Sequence, residues 1–160
     1  MVMADLNRIK NVILFTRGTM GDIYPFLRMG KALKFKGLNV TLVSNYCYRE
    51  YAEKNDFAFV SLDDQESFEI LNNPDAHTDR EKKLRLFKDH MIANIPREIG
   101  VVEGVLDDLG KTAIVANSND IFTPMLIAEK FNLPIYMSVL APSYLYGFVL
   151  FEGVALTLSK

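Results

Sequence analysis

Short apolar runs alternate with helix-patterned segments along most of this 160-residue sequence. Continuous apolar runs of strand length are typical of strands that other elements cover on both faces. Runs of this kind lie near 11–16, 39–44, 57–62, 112–117 and 134–139. Because strands that alternate with helices form parallel sheets with right-handed crossovers, the sequence predicts an α/β domain with helices on both faces of one sheet.

The segments between these runs predict the helices. Apolar residues at helical spacing indicate helices near 22–36, 46–55, 80–109 and 121–131. Pro96 predicts a break in the third of these helices, because proline lacks the N–H that a helix interior needs. Residues 63–79 are polar and acidic and contain an Asn-Asn-Pro turn signal, so they predict an irregular segment.

Composition and charge exclude several classes of site. The net charge is −2 and the Lys and Arg residues are spread along the chain, which gives no electrostatic basis for binding nucleic acid. Cys47 is the single cysteine, so no internal disulfide can form. His77 and His90 have no partners at ligand spacing, so we expect no metal site. No apolar run reads as a membrane span or signal peptide, and we expect a cytoplasmic protein, with peripheral membrane contact left open.

Polar segments follow the predicted strands, at the edge where parallel sheets carry their sites. These segments are 17–22, 44–48, 117–120 and 138–144. The first reads RGTMGD and has two glycines, whereas a dinucleotide site needs three and an acidic residue after the second strand. The second strand ends in Val43-Ser44-Asn45, and the phosphate-loop pattern is absent, so neither nucleotide site is supported.

Asp22 follows the second glycine of this loop, at the start of a predicted helix. A carboxylate there can simply cap the helix, which stabilises it by about 1 kcal/mol. The helix dipole favours the ionised carboxylate, which makes a weak base. Such a base still works when it contacts a hydroxyl directly and the proton leaves late in the reaction. Spacing alone therefore leaves a helix cap and a catalytic base as alternatives for Asp22.

Three stretches of the sequence carry a longer motif. Residues 18–33 read GTMGDIYPFLRMGKAL, and residues 37–44 read GLNVTLVS. Residues 127–144 carry the end of a predicted helix, with the pattern AEKFNLP, and a predicted strand that ends near a proline. These stretches resemble the amino-terminal part of two-domain GT-B glycosyltransferases, closest to the bacterial macrolide, glycopeptide and sterol glycosyltransferases and the UDP-glycosyltransferases. The resemblance covers at least residues 11–62 and 112–146.

The resemblance implies a fold and a reaction. Residues 1–160 would form a single Rossmann-like domain, a parallel sheet flanked by helices, which is the acceptor-binding amino-terminal half of a GT-B fold. The donor, a nucleotide-diphosphate sugar, would bind the carboxy-terminal half, and the reaction would invert the anomeric centre. No further cofactor and no metal are implied. The role of general base would fall on Asp22, because Thr19 and Met20 stand where some relatives carry a histidine.

The resemblance and the predicted sheet edge together give a set of acceptor-binding residues, for a small-molecule or lipid acceptor. They are Gly18, Thr19, Met20, Gly21, Asn45, Tyr46, Asn117, Asn119, Pro142 and Ser143. Loop packing is the alternative for Asn45 and Tyr46, and helix capping is the alternative for Asn119. An apolar stripe in the third predicted helix faces either the core or the acceptor pocket, and consists of Leu84, Phe87, Met91 and Ile95.

The chain is short for the family that it resembles, whose members have roughly 400 residues in two domains. We therefore expect an inactive fragment of a longer enzyme, or the acceptor half of a two-subunit transferase. The alternative is a non-catalytic partner subunit of the same fold that recruits a separate catalytic chain. Residues 144–158 are rich in apolar side chains. Further chain, a second copy in a homo-oligomer, or this domain itself would cover them.

Overall fold

The computed structural model describes residues 8–71 and 79–140. Its strands are β1 (Asn11–Phe15), β2 (Asn39–Ser44), β3 (Ala58–Ser61), β4 (Thr112–Asn117) and β5 (Ile135–Ser138). Its helices are α1 (Met20–Phe35), α2 (Arg49–Glu53), α3 (Gln65–Leu71), α4 (Arg80–Leu86), α5 (Ala93–Glu103) and α6 (Phe122–Phe131). Short 3-10 turns cover Tyr46–Tyr48, Leu109–Lys111 and Ser118–Asp120, and a π-helical segment covers Phe87–Ile92.

Within the described residues, five strands form one parallel sheet in the order β3-β2-β1-β4-β5. Asn11 of β1 pairs in register with Asn39 of β2 on one side and with Thr112 of β4 on the other. The strand order reverses between β1 and β4, and such a reversal opens a crevice above the carboxyl ends of the strands. The predicted α/β fold with a parallel, helix-flanked sheet is therefore confirmed.

The three central strands β1, β2 and β4 are largely buried on both faces, which explains their continuous apolar runs. Alternate residues of β1 point to opposite faces: Val12 and Leu14 pack in one apolar cluster with Phe26, whereas Ile13 and Phe15 pack in another. The first cluster lies against α1, and the second includes residues of α5 and α6. The site above the sheet thus rests on a core that is closed from both sides.

Two helix predictions were wrong. Residues 63–79 were predicted to be irregular, but α3 forms because the Asp64 carboxylate accepts a hydrogen bond from the Ser67 N–H at 2.9 Å and so caps the helix. The long helix does not break at Pro96, and it ends at Glu103 instead of residue 109. Its irregularity lies one turn earlier, in the π-helical segment that runs directly into α5.

Candidate active site

The loop between β1 and α1 carries Asp22 to the carboxyl edge of the sheet. Thr19 is the N-cap of α1, and Asp22 is the third residue of the helix. The Asp22 Oδ2 atom accepts hydrogen bonds from the Thr19 backbone N–H at 3.0 Å and from the Thr19 hydroxyl at 3.1 Å. This arrangement is that of a capping box, so one oxygen of the carboxylate is engaged with its own helix start.

Gly18 holds this loop in a conformation that other residues would not adopt. Its φ angle is +127°, and a Cβ atom there would lie 2.6 Å from the Asp22 Oδ2 atom. Its N–H donates to the Asn45 Oδ1 atom at 3.1 Å, and its carbonyl oxygen accepts from the Tyr48 hydroxyl at 2.8 Å. The loop that follows β2 therefore fixes both polar groups of Gly18.

Asn45 is buried and hydrogen-bonded at both ends of its amide, since its Oδ1 atom accepts from the Gly18 N–H and its Nδ2 group donates to Asp63. The Nδ2 group donates to Asp63 Oδ2 at 2.6 Å, and the Tyr46 backbone N–H donates to Asp63 Oδ1 at 2.6 Å. Burial raises the pKa of Asp63, although these two hydrogen bonds act in the opposite direction. Sequence reasoning missed Asp63, whose signal was its place directly after an apolar run, at the same edge as the other polar segments.

Residues after β4 reach the other oxygen of Asp22. Asn117 is fully buried, and its Nδ2 group lies 3.1 Å from the Thr16 hydroxyl and 3.4 Å from Asp22 Oδ1. The Oδ1 atom of Asn117 accepts from the Asn119 backbone N–H at 3.1 Å. The Asn119 side-chain amide lies 3.5 Å from Asp22 Oδ1. The structure therefore brings Asp22 together with the two predicted site asparagines that follow β4.

A buried charged cluster lies beside this group. The Arg17 guanidinium donates to Asp120 at 2.5 Å and forms two hydrogen bonds to Glu98, at 2.8 and 2.9 Å. The Thr123 hydroxyl donates to the same Glu98 carboxylate at 2.6 Å. Burial raises the pKa of Asp120, and the positive charge of Arg17 opposes that rise. The cluster ties the β1–α1 loop to α5 and α6.

Glu98 was missed because its partner lies 81 residues away in the sequence. A signal was present, however, since Glu98 shares a helix face with the apolar Ile95 and Val102. A glutamate on such a face is buried and needs a partner inside the protein.

A pocket of about 240 Å³ opens between α5, the end of the π-helical segment and the start of α6. Its lining is mainly apolar and consists of Arg17, Met91, Ile92, Ile95, Asn119, Asp120, Phe122 and Thr123. Met91 and Ile95 of the predicted apolar stripe thus line a pocket, whereas Leu84 is 58% exposed. Asn119 belongs both to the pocket and to the group around Asp22.

The remaining predicted site residues take varied positions. Met20 is half-buried and packs against the core, and Gly21 is exposed in the first turn of α1. Tyr46 packs edge-on against the ring of Phe68, with ring centroids 5.5 Å apart. Pro142 and Ser143, like the apolar tail, lie outside the described residues.

In residues 8–71 and 79–140, no group of three or more His, Cys, Asp or Glu side chains could hold a metal ion. Over the same residues, no helix is both long and apolar enough to cross a membrane.

Comparison with protein families gives one match. Residues 12–148 match the family described as Glycosyltransferase family 28 N-terminal domain, which is most of the chain. A comparison with curated proteins finds no significant match to this sequence.

Three solved glycosyltransferase structures share this fold. The calicheamicin glycosyltransferase CalG4 matches with a TM-score of 0.67 and 15% identity, over 82% of this chain and 32% of that chain. SnogD from Streptomyces nogalater matches with a TM-score of 0.61 and 16% identity, over 84% and 35%. UGT71G1 from Medicago truncatula, complexed with UDP-glucose, matches with a TM-score of 0.58 and 17% identity, over 87% and 31%. At these identities the likeness shows the fold, and the chain spans about a third of each structure.

Proposed function

Because this chain belongs to the glycosyltransferase family 28 N-terminal domain family, as its sequence motifs predicted, we propose that it is the acceptor-binding half of an inverting glycosyltransferase. The donor is a nucleotide-diphosphate sugar, and the structure of UGT71G1 with UDP-glucose supports this class of donor. The chain spans about a third of the glycosyltransferases whose fold it shares. The donor-binding half is therefore assigned to a further domain or to a separate subunit.

The position of Asp22 is the observation that carries the proposal. Its carboxylate is half-buried at the carboxyl edge of the sheet, and one oxygen faces the amides of Asn117 and Asn119 beside an apolar pocket. A base in this place can take the proton from an acceptor hydroxyl while the hydroxyl oxygen attacks the anomeric carbon. The diphosphate leaves from the opposite face of the sugar, which inverts the centre.

The pocket supports an acceptor with an apolar body. Met91, Ile92, Ile95 and Phe122 supply apolar walls, and ligand pockets typically combine such walls with a few polar groups that fix orientation. Asn119 is the polar group that joins the pocket to Asp22. The acceptor is thus a small molecule or lipid whose hydroxyl lies at the Asp22 end of the pocket. The acceptor-binding residues named from the sequence, Asn119 included, remain predictions.

The substitution Asp22→Asn tests the proposal in the full-length protein. An asparagine still accepts the capping hydrogen bonds of Thr19, but it cannot take a proton. We expect turnover to fall by roughly 10² to 10⁴, with a change of less than about 1 kcal/mol in the free energy of unfolding. Asp64→Asn is the matched control, because Asp64 also caps a helix, α3, and its exposed side chain otherwise faces Arg97.

The opposite outcomes separate the alternatives. If Asp22→Asn keeps more than about a tenth of wild-type turnover, Asp22 is only a helix cap. In that case Asp22→Ala should cost about 1 kcal/mol of stability. If the wild-type full-length protein transfers no sugar from a panel of nucleotide-diphosphate sugars, the non-catalytic partner subunit becomes the better assignment.

A further inference from the structure

The two oxygens of the Asp22 carboxylate have different surroundings. Oδ2 accepts two hydrogen bonds from Thr19 and lies so close to Gly18 that a Cβ atom on that glycine would be 2.6 Å away. A carboxylate oxygen has about two acceptor sites, and both sites of Oδ2 are filled by groups of its own loop. An acceptor hydroxyl therefore finds neither space nor a free acceptor site at Oδ2.

Oδ1 has looser contacts. The amides of Asn117 and Asn119 lie 3.4 and 3.5 Å from it, beyond the 2.7–3.2 Å that is typical of N–H···O hydrogen bonds. Contacts of this length are weak, so an incoming hydroxyl can replace one of them at small cost. Oδ1 is the oxygen that can exchange partners.

The two asparagines differ in how firmly they are held. Asn117 is fully buried, and contacts with Thr16 and with the Asn119 backbone fix both ends of its amide. The Asn119 side chain is exposed and lines the apolar pocket. A ligand that enters through the pocket therefore meets the Asn119 amide first, and Asn117 stays in place behind it.

From this geometry, and resting on the proposed function, we propose that Oδ1 of Asp22 is the proton-accepting atom. Asn117 is a positioning residue that holds this oxygen, and the acceptor hydroxyl replaces the Asn119 amide on it. In the transfer step the acceptor O–H bond breaks and its electron pair forms the new C–O bond to the anomeric carbon. The proton moves to Oδ1, and the old bond to the diphosphate breaks, with its electrons leaving on the diphosphate.

Two titratable side chains beside the Asp22 loop, Tyr48 and Arg17, already have hydrogen-bond partners. Tyr48 reaches the loop from the β2 side, and its hydroxyl donates a hydrogen bond to the Gly18 carbonyl oxygen. Arg17 precedes the loop, and its guanidinium is bonded to Asp120 and to Glu98. Substitutions at the two asparagines leave these pairs intact, so a change in the titration of Asp22 reports on the amide contacts themselves.

The decisive variant is Asn117→Asp. The new carboxylate can still accept from the Asn119 backbone N–H, and the Thr16 hydroxyl can rotate to donate to it, so the local hydrogen bonds survive. The two carboxyl groups would then titrate as a coupled pair, and because both cannot easily be ionised at this distance, the pair takes up its first proton at a higher pH than Asp22 alone. Asn39→Asp is the matched control, because it adds a carboxyl group at the opposite edge of the sheet, where the exposed Asn39 side chain donates a hydrogen bond to Asn11.

The first measurement needs no activity. Carbon-13 NMR of the carboxyl groups in this chain should show that the carboxyl pair in Asn117→Asp takes up its first proton more than about one pH unit above the midpoint of Asp22 in the wild type, whereas Asn39→Asp should leave the Asp22 midpoint nearly unchanged. Asn117→Ala is the second variant if the first does not fold, and it should move the midpoint upward by a smaller amount. An unchanged midpoint in a folded Asn117 variant overturns the role of Asn117.

The second measurement uses the full-length enzyme. The acid limb of the kcat/KM profile should move to higher pH in Asn117→Asp by the same amount as the NMR midpoint. Asn119→Ala should move it less and should leave the acceptor KM unchanged or lower. A tenfold or greater rise in that KM would mean that Asn119 binds the acceptor directly, and it would overturn the proposal that the acceptor hydroxyl replaces the Asn119 amide on Asp22 Oδ1. A wild-type enzyme without transfer activity, but with the NMR shift intact, would refute the proposed function and leave the Asn117–Asp22 contact standing.

Discussion

The two glycines of the β1–α1 loop should respond in opposite ways to the same substitution. Gly18 has a φ angle of +127°, and an added Cβ atom would lie 2.6 Å from Asp22 Oδ2. The backbone strain costs about 1–3 kcal/mol, and displacement of the Asp22 side chain from Thr19 costs about 1 kcal/mol more. We therefore expect Gly18→Ala to lower the free energy of unfolding by about 2–4 kcal/mol.

Gly21→Ala is the matched control within the same motif. Gly21 is exposed in the first turn of α1, and the nearest atom to an added Cβ would be the Thr19 hydroxyl oxygen at 3.5 Å, an ordinary contact. Alanine is favoured over glycine in a helix by about 0.5–1 kcal/mol. Gly21→Ala should therefore stabilise the protein.

Thermal unfolding of the chain measures both effects. In a domain of this size 1 kcal/mol corresponds to about 2–4 °C in Tm. Gly18→Ala should lower the Tm by about 4 °C or more, and Gly21→Ala should raise it by about 1–4 °C. In the full-length enzyme Gly18→Ala should also reduce turnover about 10²-fold, because a displaced base loses its alignment. Equal Tm changes in the two variants would refute the argument that Gly18 and the Asp22 carboxylate share one tightly packed space.

Two further pairs of substitutions test the supports of the site by chemical denaturation. Glu98→Ala should lower the free energy of unfolding by about 3–5 kcal/mol, because it leaves the largely buried Arg17 without its bidentate partner. Glu103→Ala removes only an exposed ion pair and should lower it by less than about 1 kcal/mol. Tyr48→Phe should lower the free energy of unfolding by about 1 kcal/mol, because the hydrogen bond of its hydroxyl to Gly18 is lost. Tyr51 is an exposed ring beside Tyr48, and Tyr51→Phe should change stability by less than about 0.5 kcal/mol. If either control variant loses as much stability as its partner variant, the Arg17–Glu98 or Tyr48–Gly18 contact that the pair tests does not support the site.

The sheet could be predicted from the sequence because its three central strands are largely buried on both faces. The ranges predicted for β2 and β4 match those of the structure to the residue. Helix α3 could not be found in the same way, since its polar residues gave no helical stripe and the capping role of Asp64 becomes visible only once the turn is formed. The π-helical segment also has no distinctive residue pattern, and so the irregularity was expected at Pro96.

The candidate site was predictable where it depends on strand ends. The carboxyl ends of β1 and β4 meet at one edge, so Asp22 and the asparagines after β4 were expected to lie together, and they do. Sequence spacing could not show that Asn45 bonds to the buried Asp63, or that Glu98 reaches the loop from α5. Those contacts depend on how helices and loops pack over the sheet, which local patterns do not encode.

The positive charge of Arg17 has a structural role in the site, because carboxyl groups of the protein neutralise it. Arg17 directly precedes the glycine loop, where a cation could be expected to face a phosphate, but its guanidinium is bonded to Glu98 and Asp120. One guanidinium that faces two carboxyl groups leaves no surplus positive charge at the pocket. The cluster instead fixes the helices that form the pocket walls. On the proposed function, the charge that develops on the departing diphosphate has to be stabilised from the donor-binding half, and the acceptor half contributes the base and an apolar place for the acceptor.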